Sequence, residues 1–482
     1  MNLYTLRVVL EILGAEDYGI FSVLSGIVIL FTFLNGAMIN STQRFLNFAL
    51  GRNDVEQARN VYSASLVIHA LIAVIVVVLA QTVGLWFFHT WLNIPAERQP
   101  SAILVYHFSV ISTAIGIVQV PYRATIIAYE KMSFFAMLSI VEAILRLGIV
   151  FLLPIILLDK LVIYAFLLFI AGLIVFLAHK VYCNRKFETA RFRRFKDKTL
   201  LRQFLGFSGW TVFGGLAYAG RDQGISVLVN IFHGVKVNAA MGIAGQVGSA
   251  IYQFVGNFQI AFNPQIVKSY SADQASDSFI RLIFRTSKVS FCLLFVFVLP
   301  LYINTDFVLQ IWLNNVPEYA ITFTRLTLLF SLIGAIAGPL WISIHATGNI
   351  KKYELVASCL AFANLPMSLL FLRMGFSPLW VLVIRIGLDT LLFVWRMLFL
   401  AGAVKFKIVD FFYEVIAPIF IIAIISIFVT MIFHNLFDGH WSRLIVSCFI
   451  STITIIIFTY LIGLNKQEKK MLRNWIKEKY HG

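Results

Sequence analysis

Long apolar runs separated by short polar intervals set the pattern of the chain. Before residue 184 they cover roughly 17–39, 60–88, 102–128, 133–157 and 161–183. After residue 203 they recur at roughly 204–232, 238–262, 285–302, 322–346, 354–372, 379–401, 410–433 and 442–463. A helix rises 1.5 Å per residue, so each run is close to the length that crosses about 30 Å of hydrocarbon. The opening segment, 2–13, is equally apolar but would reach only about 18 Å as a helix. These runs predict a chain of transmembrane helices.

Composition places that pattern in a membrane. Hydrophobic residues make up 60% of the 482 positions and charged residues 13%, and the mean hydropathy is +0.86. That is more apolar surface than water-soluble cores of this size bury. The net charge of +16 would suggest nucleic acid in a soluble protein. Here the Lys and Arg residues fall in the intervals between apolar runs, as membrane orientation requires, so no nucleic-acid partner is expected. The densest group is Lys180, Arg185, Lys186, Arg191, Arg193, Arg194, Lys196, Lys198 and Arg202, which predicts a basic cytoplasmic linker over 184–203 lying in water.

The two halves match sparsely when offset by about 220 residues. Gly19-Ile20 pairs with Gly242-Ile243 and Asn40 with Asn263, while Pro121 pairs with Pro339 and Ala128 with Ala346. On this register Met1 falls inside the first helix of the repeat, so that helix is expected to lack its opening turns. The expected architecture is an all-α polytopic membrane protein. It has an amino-terminal lobe (1–183, first helix truncated), the linker (184–203), a carboxyl-terminal lobe (204–401), an additional helix pair (402–464) and a basic amphipathic tail (465–482). Each lobe holds six helices, counting the truncated one, and the lobes are related by the repeat. Most of the 39 Lys and Arg fall on the side of the linker and the tail, which puts both in the cytoplasm. Met471, Leu472, Trp475 and Ile476 recur at helical spacing among lysines, a pattern suited to an anionic lipid surface.

Candidate chemistry lies in the few ionisable residues read as deep in spans: Arg7, Arg146, Arg221, Arg325 and Arg385, with no lysine among them, and the acids Glu142, Asp222 and Asp389. An intramembrane charge costs about 2.5–3.5 kcal/mol or more, so it faces a wet cavity or a partner. A guanidinium keeps its charge there and holds phosphate through two parallel hydrogen bonds. Glu142 and Arg146, and Arg385 and Asp389, stand four apart and can neutralise each other. Arg221 and Asp222 are adjacent and diverge by about 100° on a helix, so at least one must find a partner elsewhere. Arg325, near a span end, is placed to snorkel. Gly214, Gly215, Gly220 and Gly224 on the Arg221 helix permit close packing or bending. The next span carries Gln246, Tyr252, Gln253, Asn257 and Gln259, more polar groups than a lipid-facing helix needs. Arg146, Arg221, Arg385, Arg7, Gln253 and Asn257 are the candidate contacts for an anionic sugar ligand, and Asp222, Glu142 and Asp389 the candidate ion-coupling groups.

His69, His107 and His345 are isolated, and Cys183, Cys292, Cys359 and Cys448 form no CxxC pair. No metal site, catalytic residue or cofactor is expected. The loops on the outer side are short, the longest being about 304–322, and leave no room for an enzymatic domain.

Several stretches carry a resemblance: ILGAEDYGIFSVLSGIV at 12–28, STQRFLNFALG at 41–51, QVPYRATIIAYEKM at 119–132, VNAAMGIAGQV at 237–247, FNPQIVKSYS at 262–271 and ATGNIKKY at 346–353. Together with the lobe plan they resemble the multidrug/oligosaccharidyl-lipid/polysaccharide exporter superfamily, and within it the polysaccharide and O-antigen flippase branch, lipopolysaccharide-biosynthesis membrane proteins of Bacteroides-like bacteria. The resemblance implies two lobes opening alternately to each face of the bacterial inner membrane. They would move a polyprenyl-diphosphate-linked oligosaccharide, with membrane lipids and the polysaccharide polymerase or export machinery as further partners. It implies no enzyme. The alternatives within the same superfamily are a drug or metabolite antiporter and an inactive truncated paralogue.

Overall fold

All regular structure among the described residues is helical. Hydrocarbon imposes this, because a helix pairs its own backbone N–H and C=O groups and needs no water. The structure, a computed structural model, describes residues 9, 12, 13, 17, 20, 21, 32–91, 94–193, 197–272, 276–313, 316–404, 406–465, 468 and 469. Arg7, most of the opening segment 2–13 and the tail beyond 469 lie outside them. The chain divides into two compact units, Met1–Gly215 and Leu216–Gly482.

The first unit contains α1 (Thr32–Gly51), α2 (Val55–Leu79), α3 (Gln99–Ala128), α4 (Met132–Leu152), α5 (Lys160–Lys186) and the first part of α6 (198–233). The sequence pattern places the first span at 17–39, but α1 continues to Gly51. Hydropathy cuts the span short at Ser41, Thr42, Gln43 and Asn47, all of which are buried. Thr42 Oγ1 meets Ser65 Oγ of α2 at 2.9 Å. α2 passes through a π-turn at Ala80–Gly84, where the Tyr106 hydroxyl donates to the carbonyl of Ala80 at 2.6 Å. Leu46, Ala58, Tyr62, Tyr122, Ala128, Cys183, Phe187 and Leu200 form one apolar core. Its fully buried alanines let the helices approach closely.

The expectation of a linker lying wholly in water is corrected. Phe187, Thr189 and Ala190 are buried against the start of α2. Arg59 reaches Glu188 at 2.7 Å, Tyr129 meets Thr189 at 2.8 Å, and the Arg193 amide donates to Ser63 Oγ at 3.0 Å. Phe187, Thr189 and Ala190 pack, while the described cations Arg185, Lys186, Arg191, Arg193, Lys198 and Arg202 are exposed.

The second unit holds the rest of α6, α7 (235–272), α8 (Asp277–Ile303), α9 (Thr305–Trp312), α10 (Ala320–Thr347), α11 (Lys351–Arg373), α12 (Trp380–Ala403), α13 (Ile408–Asn435) and α14 (His440–Gly463). α6 and α7 join at Gly234, whose φ of 80° only glycine adopts freely. Ser226 donates across this corner to Asn238 Oδ1 at 2.9 Å. The outer interval expected at 304–322 holds the short helix α9. The repeat is visible in matching detail. Pro121 lies within α3 and Pro339 within α10, and the carbonyl of each accepts a hydroxyl one turn later, from Thr125 and Ser343, both at 2.8 Å.

Among the described residues nine helices are long and apolar enough to cross a membrane, and the chain is a multi-pass membrane protein. Neither the α6–α7 stretch nor α12 is among the nine. They are the helices that carry Arg221, Asp222, Arg385 and Asp389.

Outside the spans, the head of α5 is tied to that of α3. Asp159 caps Leu161 N at 3.0 Å, accepts from Ser101 at 2.6 Å, and pairs with Arg98 at 3.0 Å. Arg98 also pairs with Asp17. Burial alone would push the Asp159 carboxyl up, but the Ser101 hydroxyl, Arg98 and the backbone N–H groups outweigh it and hold the group below the usual carboxylate range. A depressed folded-state pKa contributes stability above the unfolded value of about 3.9, and that stability disappears as pH falls through the folded value. Asp159→Asn keeps a capping residue and loses the ion pair. It should lower thermal stability in detergent at pH 7 by under about 1 kcal/mol, with the gap to wild type closing below about pH 4. A gap that stays constant across this range would refute the assignment.

Candidate functional site

In the second unit the span charges converge. Arg221 and Asp222 are on α6, Arg385 and Asp389 on α12. Arg221 Nε contacts Asp222 Oδ1 at 3.0 Å and its Nη1 contacts Asp389 Oδ1 at 3.3 Å. Arg385 Nη1 lies 3.3 Å from Asp222 Oδ1, and its Nε lies 3.7 Å from Asp389 Oδ2. The last separation is an ion pair without a hydrogen bond. Two guanidiniums and two carboxylates thus form a neutral quartet that ties α6 to α12. Adjacency does not prevent Arg221 from reaching Asp222, because its long side chain bends back. It also finds the remote partner that the spacing demands.

The quartet is graded in exposure. The Arg221 side chain is 6% exposed and that of Asp222 48%. Arg385 packs its guanidinium over Phe330 at 4.3 Å, and Arg221 over Tyr218 at 5.2 Å. Glycines admit the neighbouring helix. A Cβ on Gly224 would sit 2.7 Å from Leu365 of α11, and one on Gly220 would be in ordinary contact with Phe362.

Arg396 is the residue the sequence reading missed. It lies eleven positions after Arg385 on α12, which returns it to nearly the same helix face about 16 Å away. Its Nε donates to the Tyr353 hydroxyl at 2.9 Å and its Nη1 to the Ala337 carbonyl at 3.4 Å. Among the described residues no carboxylate lies within ion-pair distance of it. The signal was available, since Arg396 falls inside the expected span 379–401. Lys288 is a second omission and corrects the expectation that deep cations are all arginines. It is buried on α8, donating to the Gly463 carbonyl at 2.9 Å and to Glu468 at 3.3 Å. α8 begins at Asp277, a full two turns before the expected span, and carries Lys288 into the packed interior.

The remaining candidates take varied places. Gln253 and Asn257 are exposed on α7, as are Gln246 and Ser249. These four recur at helical spacing along one stripe. Gln259 is instead buried and structural, donating to Ser290 at 3.2 Å and to the Ala335 carbonyl at 3.0 Å. Arg325 lies over the Tyr302 ring at 5.7 Å. His345 is not isolated, since its Nε2 lies 3.0 Å from Glu354 Oε1. His69 bonds the Ser65 carbonyl at 2.6 Å, the packing role expected of it.

In the first unit Glu142 and Arg146 pair at 2.8 Å, as their spacing allows. They border a cavity of about 380 Å³ walled by α3, α4 and α5. Among the described residues no group of His, Cys, Asp and Glu side chains is arranged to hold a metal ion.

No protein-family model and no curated protein matches the sequence. Solved structures do. A MATE transporter in complex with MaD3S matches with a TM-score of 0.72 at 13% identity, covering 83% of this chain and 92% of its own. The fold is that of a MATE transporter. An outward-facing multidrug resistance MATE family transporter of the MOP superfamily matches with a TM-score of 0.69 at 13% identity, covering 83% of this chain and 90% of its own. A MOP superfamily transporter from Pyrococcus furiosus matches at 0.70 and 13% identity, over 83% of this chain and 92% of its own. Its binding pocket is described as reversed in polarity, suggesting a different function. These neighbours are transporters, not enzymes.

If the quartet is a closed network, removing one member should cost more than removing a pair. Arg221→Met leaves two carboxylates sharing one guanidinium and should lower stability by about 3 kcal/mol, whereas Arg221→Met with Asp389→Leu should recover most of it. Thermal unfolding of the three proteins in detergent measures this, and strictly additive losses would show that the four groups do not act together.

Proposed function

We propose that the chain is a transporter that moves an anionic glycolipid, a polyprenyl-diphosphate-linked oligosaccharide such as an O-antigen or capsule repeat unit, across the bacterial cytoplasmic membrane by alternating access. The observation that carries this reading is an asymmetry of free charge. Glu142, Asp222 and Asp389 each lie within ion-pair distance of an arginine, and Glu354 within that distance of His345. Arg396 has hydrogen bonds to a phenol and a carbonyl and no acid within ion-pair distance, with the charge of Asp389 on the same helix acting on it from farther off. An organic cation would find every one of these carboxylates already engaged, while an anion would find a guanidinium with capacity to spare. Pyrophosphate suits that group, since it can accept parallel hydrogen bonds from one fork.

The neutral polar stripe of α7, with Gln246, Ser249, Gln253 and Asn257, supports the sugar part of the ligand. Carboxamides and hydroxyls match sugar hydroxyls without selecting a charge. In this reading Arg221 and Arg385 assist the diphosphate when it competes with Asp222 and Asp389, and protonation of those acids couples the exchange to a cation gradient. The P. furiosus transporter, whose pocket polarity is described as reversed, is a precedent for variation of pocket polarity within the fold. The cytoplasmic placement of the linker, the lobe boundaries at 183 and 204, and the polymerase or export machinery as partner belong to the same proposal.

The drug or metabolite antiporter is the second reading, and the multidrug resistance neighbour favours it. The two readings separate at Arg396. A span charge with no counter-charge costs stability, so Arg396→Gln should leave thermal stability equal or higher while reducing transfer of lipid-linked oligosaccharide at least tenfold, the order of one charge-assisted hydrogen bond. Surface polysaccharide in a complementation assay measures the loss. Undiminished polysaccharide in that variant, or efflux of a cationic dye by the wild-type protein, would move the assignment to the second reading.

A further inference from the structure

The cavity of the first unit has a chemistry distinct from that of the quartet. Its polar wall consists of Ser112, Thr113 and Gln119 from α3 and the Glu142–Arg146 pair from α4. Phe21 supplies an aromatic side. Among the described residues the hydroxyls of Ser112 and Thr113 make no hydrogen bond to protein, and neither is a walled-in, unsatisfied atom. They differ in this from most span hydroxyls of this chain, such as Thr125 and Ser343, which bond back to their own helix. Gln119 spends its Nε2 on His179 at 3.0 Å and keeps its carbonyl oxygen free. Gly116 opens the floor, since a Cβ there would meet nothing within 4 Å.

Glu142 and Arg146 cancel in charge but not in hydrogen-bonding capacity. One contact at 2.8 Å uses Oε1 and Nη2, leaving Oε2 as an acceptor and Nε and Nη1 as donors. The side chains are 42% and 58% exposed, so these atoms are reachable. The Glu142–Arg146 pair is itself net neutral, which matches a neutral sugar better than a diphosphate. Adjacent acceptor and donor groups, free hydroxyls, a carboxamide and one aromatic face match a pyranose ring, which has a rim of hydroxyls and an apolar C–H face. The volume of about 380 Å³ is near the small end of ligand cavities, about 300–1,000 Å³, the size class of one or two sugar rings and not of a whole oligosaccharide.

We propose that this cavity is a sugar subsite that takes a neutral pyranose of the transported glycan, with Glu142 accepting from one ring hydroxyl and Arg146 donating to its neighbour. The proposal rests on the reading of the chain as a glycolipid transporter. It assigns discrimination among sugars to the first unit.

The test uses the full chain in lipid nanodiscs, with glucose, galactose, N-acetylglucosamine and their β-linked disaccharides as probes in saturation-transfer NMR. At least one probe should bind the wild-type protein, and both Glu142→Gln, which keeps shape, and Gly116→Leu, which fills the floor, should weaken that binding at least tenfold. Ser112→Cys should react with a thiol reagent and be protected by the same probe. No binding by any probe, or equal binding to wild type and to both variants, overturns the subsite. Vesicle transport of polyprenyl diphosphate with and without its sugars separates the two levels. Wild-type transfer of the glycan lipid that Gly116→Leu leaves unchanged sinks the subsite and spares the transporter reading. Probe binding that both variants abolish, with no transfer of either lipid by the wild type, sinks the transporter reading and spares the subsite.

Discussion

A guanidinium placed among apolar helices needs something to offset its lost hydration, and how each arginine of this chain meets that need organises its interior. Arg221 and Arg385 take carboxylates from two helices, Asp222 and Asp389. Arg146 takes the acid one turn before it on the same helix. Arg396 takes a phenol and a backbone carbonyl. The first solution ties α6 to α12, the second leaves α4 independent, and the third leaves a net positive charge. An ion pair in low dielectric contributes less to net stability than its Coulomb energy suggests, because both partners are desolvated. Its surer consequence is register. Sliding α6 past α12 by one turn, about 5.4 Å, would separate Arg221 from Asp389 and break a quartet that no single helix can rebuild.

The same constraint bears on the helices that are not among the nine candidate spans. α6, α7 and α12 cannot all face lipid, because their charged and carboxamide groups would lose hydrogen bonds there. Elsewhere small span hydroxyls are consumed by their own backbones, as at Thr324 and Ser331. Function is thereby confined to a few elements, while the others supply packing. Gln259 marks the boundary. It shares α7 with the exposed Gln253 and Asn257, yet its amide is locked by Ser290 and Ala335, and a Cβ on Gly338 would fall 2.4 Å from it.

Span positions were legible in the sequence because about 20 apolar residues in a row have few other uses. The repeat was legible at Pro121 and Pro339, where a proline and a hydroxyl one turn later recur together. Contacts within one helix could be read from spacing, which is why Glu142–Arg146 was foreseeable and why Arg385–Asp389 could be named as a pair. The Arg221–Asp389 contact could not, since it depends on the relative height of α6 and α12, a quantity that periodicity does not encode. The ends of elements were the weakest point. Cutting spans where polar residues begin ended the first span at 39, ahead of the buried Ser41, Thr42, Gln43 and Asn47 of α1, because buried polar residues look like loop residues in a hydropathy count. Lys288, by contrast, lies inside the expected span 285–302. The linker failed in the opposite sense, its charges masking the buried Phe187, Thr189 and Ala190.

A division of labour follows from where charge is balanced and where it is not. The cavity of the first unit pairs its lining acid with its lining base, a dipole that orients hydrogen bonds, with the charge of Arg123 also acting on Glu142. On α6 and α12 of the second unit two acids stand against three arginines, with Glu354 of α11 acting on the same tyrosines as Arg396, in surroundings of low dielectric where charge is poorly screened. A ligand carrying only a positive charge would gain from Glu142 only by breaking its contact with Arg146. Such a ligand would have to bring enough hydrogen-bonding energy to separate an existing ion pair, and a hydrophobic cation has little to bring.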